Sequence, residues 1–375
     1  MRGKDNILII DDRPAALDSL AGELGVQCTV KHPRDLSKTH LQKARLVLID
    51  QHLEGTDWEE RVTYPLSCQP TNGLALAGII RAHLRTDDSF EANNAVAVCL
   101  LSAKLHELVA EGDRHPREAL AARTAGVNWA FDKTGPRQSG ASLAEDIQQF
   151  MQAVRACAVT WPDSAPAATQ KLSTVLRCPN RPWRTMAVEQ LLRCRPPFDS
   201  DRVFDDKTAI LTWLAQRILP YPTFLLGMDH VACRFGVVPA WLRAQLAKPR
   251  SALARVFAQA QYTGPLNTFC GKRWWAAGVS QLLNEATKGR PHETSRAREW
   301  LHNKAGTAPA RAPSDAVPVL GEDLAPRGVA SVAECVRVLP DDWPAFAEQA
   351  WTPILVAKAS ELVQSLVVRA DRERL

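Results

Sequence analysis

The sequence predicts an α/β protein: a doubly wound parallel sheet of five strands within residues 1–157, then a mostly α-helical domain. Three observations predict it. Short, fully apolar runs alternate with helical periodicity five times before residue 157. Strands buried on both faces read as continuous apolar runs, and the helices between them make the crossovers of a parallel sheet. Several runs end abruptly in a polar residue: Asp11-Asp12, Asp50, Ser102, and Asp132-Lys133. Composition then changes, with nine of the eleven tryptophans lying after residue 155, so the second part has an aromatic core of its own.

Taken in order, Asn6 to Ile10 is the first strand. Ala15, Leu17, Leu20 and Leu24 have helical spacing, and Gly25 stops that helix. Residues 26–31 form a short strand and 36–43 a short helix. Arg45 to Ile49 is a buried strand ending at Asp50. An irregular segment covers 51–70, and an amphipathic helix runs from Gly73 to Leu84. Ala95 to Leu101 is the fourth strand, ending at Ser102-Ala103, with helical stretches at 104–110 and 116–125. Val127 to Phe131 is the last strand, and 141–157 a closing helix. Right-handed crossovers then give the flavodoxin-like order 2-1-3-4-5, with its crevice at the carboxyl ends of strands 1 and 3.

Residues 158–172 read as a linker and 173–375 as a helical output or effector domain. Its helices are expected at 185–194, 206–218, 228–247, 251–260, 274–286 and 293–302. The stretch 303–328, rich in Pro, Ala and Gly, reads as a loop, and 344–370 as helical again.

The apolar and charged fractions, 46% and 23%, are those of a globular chain and argue against wholesale disorder. A net charge of +5 is too mild to imply nucleic acid by itself. The first 155 residues hold 18 Lys+Arg against 21 Asp+Glu, so the basic excess lies beyond them. Nine cysteines occur singly with no Cys-x-x-Cys, which argues against a zinc ribbon or a disulfide framework. The N-terminus has no apolar core of signal-peptide type, and no membrane span is expected, so the chain reads as cytoplasmic.

The predicted topology brings Asp11, Asp12 and Asp50 into one crevice. Three carboxylates this close repel one another unless a cation lies between them, and hard oxygen ligands suit Mg²⁺. The fourth strand brings the Ser102 hydroxyl to the same edge and the fifth brings the Lys133 ammonium. An acceptor oxygen, a metal, a hydroxyl and a cation are the parts that phosphoryl transfer needs. Singly, each is an ordinary turn or cap residue. Together they occupy the ends of four strands in the right order.

Ile-Leu-Ile-Ile-Asp11-Asp12, Leu-Val-Leu-Ile-Asp50, Leu-Leu-Ser102-Ala103 and Phe-Asp-Lys133 resemble the response-regulator receiver family of two-component signalling. The resemblance implies that Asp50 is phosphorylated and that Asp11, Asp12, Asp50 and the backbone carbonyl of His52 hold Mg²⁺. It implies that Ser102 is the switch hydroxyl, that Lys133 contacts the phosphoryl group, and that the domain supports its own aspartyl phosphorylation. The implied partner is a histidine kinase or phosphotransfer protein, with a homodimer through the face between the fourth strand and the fifth helix as a further expectation. Three departures stand out. Ala130 occupies the position of the usual aromatic switch residue, and Thr134 that of the proline after the lysine. An insertion lies within 51–70, containing Trp58 and Tyr64, and Leu53-Glu54 replaces the usual Met-Pro.

Residues 173–375 resemble no family. They hold no His-Glu-x-x-His, serine-hydrolase elbow or EF-hand loop. Gly264…Gly271-Lys272-Arg273 fails as a phosphate loop, with six intervening residues and Arg where Ser/Thr is needed. Asp199, Asp201, Asp205 and Asp206 offer ligands for a metal, but the favoured reading is a solvated loop and helix start. Residues 229–242 have helix-turn-helix character, with Arg234 and Arg243 as candidate DNA contacts, against an ordinary helical hairpin with Trp241 and Leu242 in its core. Lys272-Arg273-Trp274-Trp275 fits a basic–aromatic contact surface, or, the favoured reading, a helix start with buried tryptophans and snorkelling cations. The favoured expectation is a response regulator whose output is a protein–protein interaction. The alternatives are a DNA-binding regulator with a helix-turn-helix near 228–247 and a phosphorylation-gated enzymatic effector.

Overall fold

The computed structural model describes residues 6–53, 70, 72–86, 95–108, 118–135, 140–162, 164–198, 207–248 and 250–375. The insertion from 54 to 69, with Trp58 and Tyr64, and the acidic patch at 199–206 lie outside the described residues. The chain divides into two compact units. One draws on the described residues up to 171 together with 197–217, the other on 172–196 and 218–375.

The first unit is the expected flavodoxin-like sheet. Its strands are β1 (Asn6–Ile10), β2 (Cys28–Lys31), β3 (Ala44–Ile49), β4 (Ala97–Ser102) and β5 (Trp129–Asp132). They pair in the order β2-β1-β3-β4-β5, all in parallel. The helices are α1 (Asp18–Leu24), α2 (Lys38–Lys43), α3 (Gly73–Thr86), α4 (Glu118–Thr124) and α5 (Leu143–Cys157). Both faces are covered, which is why the strands are apolar throughout. Leu8, Ile10, Val47, Ile49, Val98 and Leu100 face Leu76, Ala77 and Ile80 of α3. Strand alternation sends Trp129 and Phe131 to the opposite face, where Phe131 meets Phe150 of α5 edge-on at 5.7 Å. Ser142 caps α5, its hydroxyl accepting the Glu145 N–H at 3.2 Å while Glu145 reaches back to the Ser142 N–H.

Helix α6 (Ala165–Val175) forms inside the stretch read as a linker, and α7 (Arg184–Arg193) follows. Residues 197–217, expected from the sequence to belong with the C-terminal half, cluster with the first unit. There α8 (Ala209–Trp213) continues into a π turn at Leu214–Ile218 and clasps the start of β5. The Gln216 amide donates to the carbonyls of Val127 and Asn128, at 2.7 and 2.9 Å. Asn128 donates to the hydroxyls of Thr208 and Thr212, at 2.8 and 2.7 Å, and accepts the Val98 N–H at 2.7 Å.

The second unit is mostly helical, with three two-stranded ladders. Its elements are β6 (Leu225–Leu226), α9 (Met228–Arg234), α10 (Pro239–Leu246), α11 (Ala252–Ala258), β7 (Trp274–Trp275), α12 (Ala276–Thr287) and α13 (Thr294–Ala305). Then come β8 (Ala316–Leu320), β9 (Pro326–Ser331), β10 (Cys335–Val338), β11 (Ala350–Pro353), α14 (Ile354–Ala359) and α15 (Glu361–Ser365). The expected aromatic core gathers on Trp275, with Trp183, Phe224 and Tyr262 at 6.2, 5.5 and 5.9 Å.

Two sequence expectations change in this unit. The stretch 303–328 is no simple loop, because β8 and β9 pair as an antiparallel hairpin. Its turn is closed by the Gly321 N–H on the Ala325 carbonyl at 2.9 Å, and by Asp323 accepting the Ala325 N–H at 3.1 Å. The helical tail is interrupted where Ala350–Pro353 pairs with Cys335–Val338. The stretch 228–247 is two helices, as both readings of 229–242 expected, separated where Gly236 adopts a φ of +66° and Pro239 opens α10. Among the described residues no helix is long and apolar enough to cross a membrane.

Candidate functional site

The register of the sheet assembles the site. Ile10 stands beside Ile49 in the β1–β3 ladder, and the Asp50 N–H donates to the Ile10 carbonyl at 2.9 Å. That bond sets Asp50 beside Asp11 and Asp12. Carboxylate oxygens of the three aspartates lie within 4.8 Å of one another. Ser102 is opposite Asp132 in the β4–β5 ladder, and the Lys133 N–H donates to the Ser102 carbonyl at 2.8 Å. Lys133 thereby turns into the same crevice. Its Nζ is 3.0 Å from Asp11 Oδ2 and 3.3 Å from Asp50 Oδ2.

Charge is unbalanced there, with one ammonium against three carboxylates. Asp11 is satisfied on both sides, because its Oδ1 also accepts the Arg13 N–H at 2.8 Å. Asp12 is not. Its side chain is 3% exposed, both of its oxygens are enclosed without a hydrogen-bond partner, and among the described residues the nearest cation, Arg13 Nε, is 3.9 Å away on a side chain 75% exposed. An enclosed carboxylate without partners is costly, and a hard dication is the species that offsets it. On that observation the donor set fits Mg²⁺. Burial raises the Asp50 carboxyl above its ordinary value. Lys133 pulls it down, while Asp11 and then Asp12 push it up.

The other expected residues divide between the two units. Ser102 is fully buried, and its hydroxyl oxygen accepts the Lys104 N–H at 3.0 Å. His52 places Nε2 3.0 Å from Glu107 Oε2, and Glu107 also lies 3.6 Å from Lys104 Nζ. Ala130, standing where the resemblance wants an aromatic, is buried in the face covered by α3. Arg234 and Arg243 belong to the second unit. Arg234 pairs with Glu348 and reaches the Ser280 hydroxyl at 3.4 Å. Arg243 is exposed, 3.9 Å from Asp229. Leu242 is in the core and Trp241 packs against it.

Gly73 is a site residue that sequence reasoning missed. A Cβ there would lie 1.7 Å from the Asp50 carbonyl oxygen, and the Gly73 N–H donates to the Gln51 carbonyl at 2.9 Å. Helix α3 therefore starts pressed against the backbone of the acceptor, with Asn72 capping it by accepting the Ala75 N–H at 2.9 Å. The signal was present as an Asn-Gly pair opening an amphipathic helix, where Gly is a poor helix former unless the backbone must pass closely.

No family model and no curated protein matches the chain. Among solved structures, it is similar to the response regulator ChrA of a heme-sensing two-component system, at 16% identity over 57% of this chain and 88% of that one, with a TM-score of 0.24. A likeness so slight carries no functional weight. The weight lies on the geometry of the crevice.

Proposed function

We propose that this chain is a response regulator in which Asp50 accepts a phosphoryl group and the second unit delivers the output through a protein partner. The observation that carries the reading is the crevice itself: three carboxylates and one ammonium at the carboxyl edge of a parallel sheet ordered 2-1-3-4-5. Asp11, Asp12 and Asp50, with the backbone carbonyl of His52, are the residues to hold Mg²⁺. Bound there, the dication supplies the charge that lets an anionic phosphodonor approach this acidic crevice.

The remaining parts act through the chain's own atoms. An Asp50 oxygen forms the new P–O bond as the bond to the donor's leaving group breaks. Lys133, already 3.3 Å from that carboxylate, offsets charge on the incoming phosphoryl oxygens. The Ser102 hydroxyl accepts the Lys104 N–H and keeps its own proton to donate. The arriving group adds about −1.5 to −2 charges and three acceptor oxygens at this edge. The natural donor in this reading is a histidine kinase or phosphotransfer protein.

The test is incubation of the full chain with acetyl phosphate and Mg²⁺, read by intact mass. A single phosphoryl group should appear, and should vanish with a chelator and in Asp50→Ala. Equal labelling of Asp50→Ala and wild type would remove the assignment.

A further inference from the structure

The second unit holds a buried cation with no ion-pair partner among the described residues. Arg273 is 7% exposed, and its Nε is enclosed with no hydrogen-bond partner. Among the described residues no carboxylate comes within ion-pair distance of its guanidinium. Local pairing explains its burial. The antiparallel β6–β7 ladder sets Leu225 opposite Trp275 and Leu226 opposite Trp274. One step further, Gly227 stands opposite Arg273. A Cβ at Gly227 would lie 2.6 Å from Arg273 Nη1. The guanidinium thus lies against the backbone of residue 227, where an added methyl group would make it shift.

Two side chains of α9 belong to its surroundings. His230 and Arg234 are one turn apart on α9 and share a face. His230 feels the charges of both Arg273 and Arg234, and burial together with those cations holds its ring neutral, with its pKa pushed down to about 3. Burial disfavours the charge on Arg273, and the Cys270 thiol and then the Asp229 carboxylate act to support it, neither of them a carboxylate within ion-pair distance. Asp229 acts on Arg273 at a distance, but its Oδ2 accepts the Gly328 N–H at 2.9 Å and its Oδ1 faces Arg243. Glu348 is taken by Arg234. A guanidinium stays protonated near neutral pH, and a buried charge without a partner is costly. Its planar fork of donors suits one kind of partner above others, an oxyanion.

We propose that Arg273, bedded against Gly227 and with His230 in its surroundings, anchors an oxyanion site in the second unit that takes the phosphate or carboxylate group of a small molecule. The inference is independent of the reading of Asp50. Neither the residues nor the unit is shared with that crevice.

Calorimetric titration of the full chain, in metal-free buffer containing a chelator, tests it with inorganic phosphate and acetate as probes. One of the two should bind the wild type, phosphate marking a phosphorylated ligand and acetate a carboxylate one. Arg273→Met should weaken that binding at least tenfold. In probe-free buffer the variant should unfold no earlier than wild type, since an unpaired buried charge has been removed, and only wild type should gain thermal stability as probe is added. No binding of either probe to wild type, or undiminished binding to Arg273→Met, overturns the proposal. Should Arg273→Met fail to fold, Gly227→Ala decides the same question, because its methyl group displaces the guanidinium while keeping the charge. Unchanged probe affinity in Gly227→Ala overturns the proposal as well.

Discussion

The clasp on β5 makes a quantitative demand. Asn128→Ala removes three hydrogen bonds at once: the one its Oδ1 accepts from Val98 at 2.7 Å, and the two its amide gives Thr208 and Thr212 at 2.8 and 2.7 Å. These losses are unequal. The Val98 N–H lies in the sheet interior and is stranded without a partner, at a cost of about 1–3 kcal/mol. Each amide–hydroxyl bond contributes about 1 kcal/mol net, and the Thr212 hydroxyl keeps its bond to the Thr208 carbonyl at 3.0 Å. The total is about 3–5 kcal/mol, which in a unit of this size lowers the melting temperature on the order of 10 °C. Gln216→Ala removes one donor from two carbonyls, a milder loss of roughly 1–2 kcal/mol. With two compact units in the chain, a bulk unfolding curve mixes two transitions. Hydrogen exchange at the β4 and β5 amides reports the first unit alone. Asn128→Ala should speed exchange there and leave β10 and β11 unchanged. If exchange in β4 and β5 stays within about 0.5 kcal/mol of wild type, residues 208–216 do not hold β5 in place, and the clasp is refuted.

Other perturbations probe the crevice and the second unit. Gly73→Ala drives a methyl group into the Asp50 carbonyl, where a Cβ would stand 1.7 Å away. It should cost about 1–3 kcal/mol or more and depress phosphoryl labelling, and wild-type values for both would disprove the close approach. Asp12→Asn relieves an enclosed, unpartnered carboxylate, so the metal-free protein should melt higher while Mg²⁺ affinity falls at least about tenfold. A magnesium titration that does not separate variant from wild type excludes Asp12 as a ligand. In the second unit, Asp371 accepts from Arg337 at 2.7 and 3.0 Å through the side chain and at 2.8 Å from the backbone N–H. Those hydrogen bonds from Arg337, more than its charge, lower the Asp371 pKa. A depressed carboxylate adds stability above its unfolded-state pKa of about 3.9, and that stability is lost as pH falls through the lower folded-state value. Asp371→Asn should flatten acid unfolding of this unit below about pH 4. A variant as acid-sensitive as wild type would show that the pair contributes nothing.

Much of the first unit was legible because its information is local. A buried parallel strand declares itself as an apolar run, as in Asn6–Ile10, Ala44–Ile49 and Ala97–Ser102. The residue that ends the run marks the sheet edge. Asp11, Asp12, Asp50, Ser102 and Lys133 could therefore be placed at one crevice before any distance was known. The start of the last strand was less legible. Val127 and Asn128 read as strand, yet the ladder begins at Trp129, because Asn128 spends its side chain bridging β4 and residues 208–212.

The second unit hid more. Ala316–Leu320 and Pro326–Ser331 are too short and too rich in Pro and Gly to stand out by composition, and they become strands by pairing with each other. In Lys272-Arg273-Trp274-Trp275 the tryptophans are legible, since they are buried ahead of a helix beginning at Ala276. Arg273 is not. Its chemistry predicts a cation snorkelling to water, and instead it lies inside, against Gly227.

The sequence by itself determined the parallel sheet, its strand order and the convergence of Asp11, Asp12, Asp50 and Lys133 at its carboxyl edge, because period and strand ends are written residue by residue. Only the tertiary structure decided that 197–217 belongs with the first unit, that Asp12 is enclosed without a partner, and that Arg273 is buried opposite Gly227. Each of those depends on which distant segments meet. Hydrogen bonding and burial across such contacts leave no periodic trace in the chain.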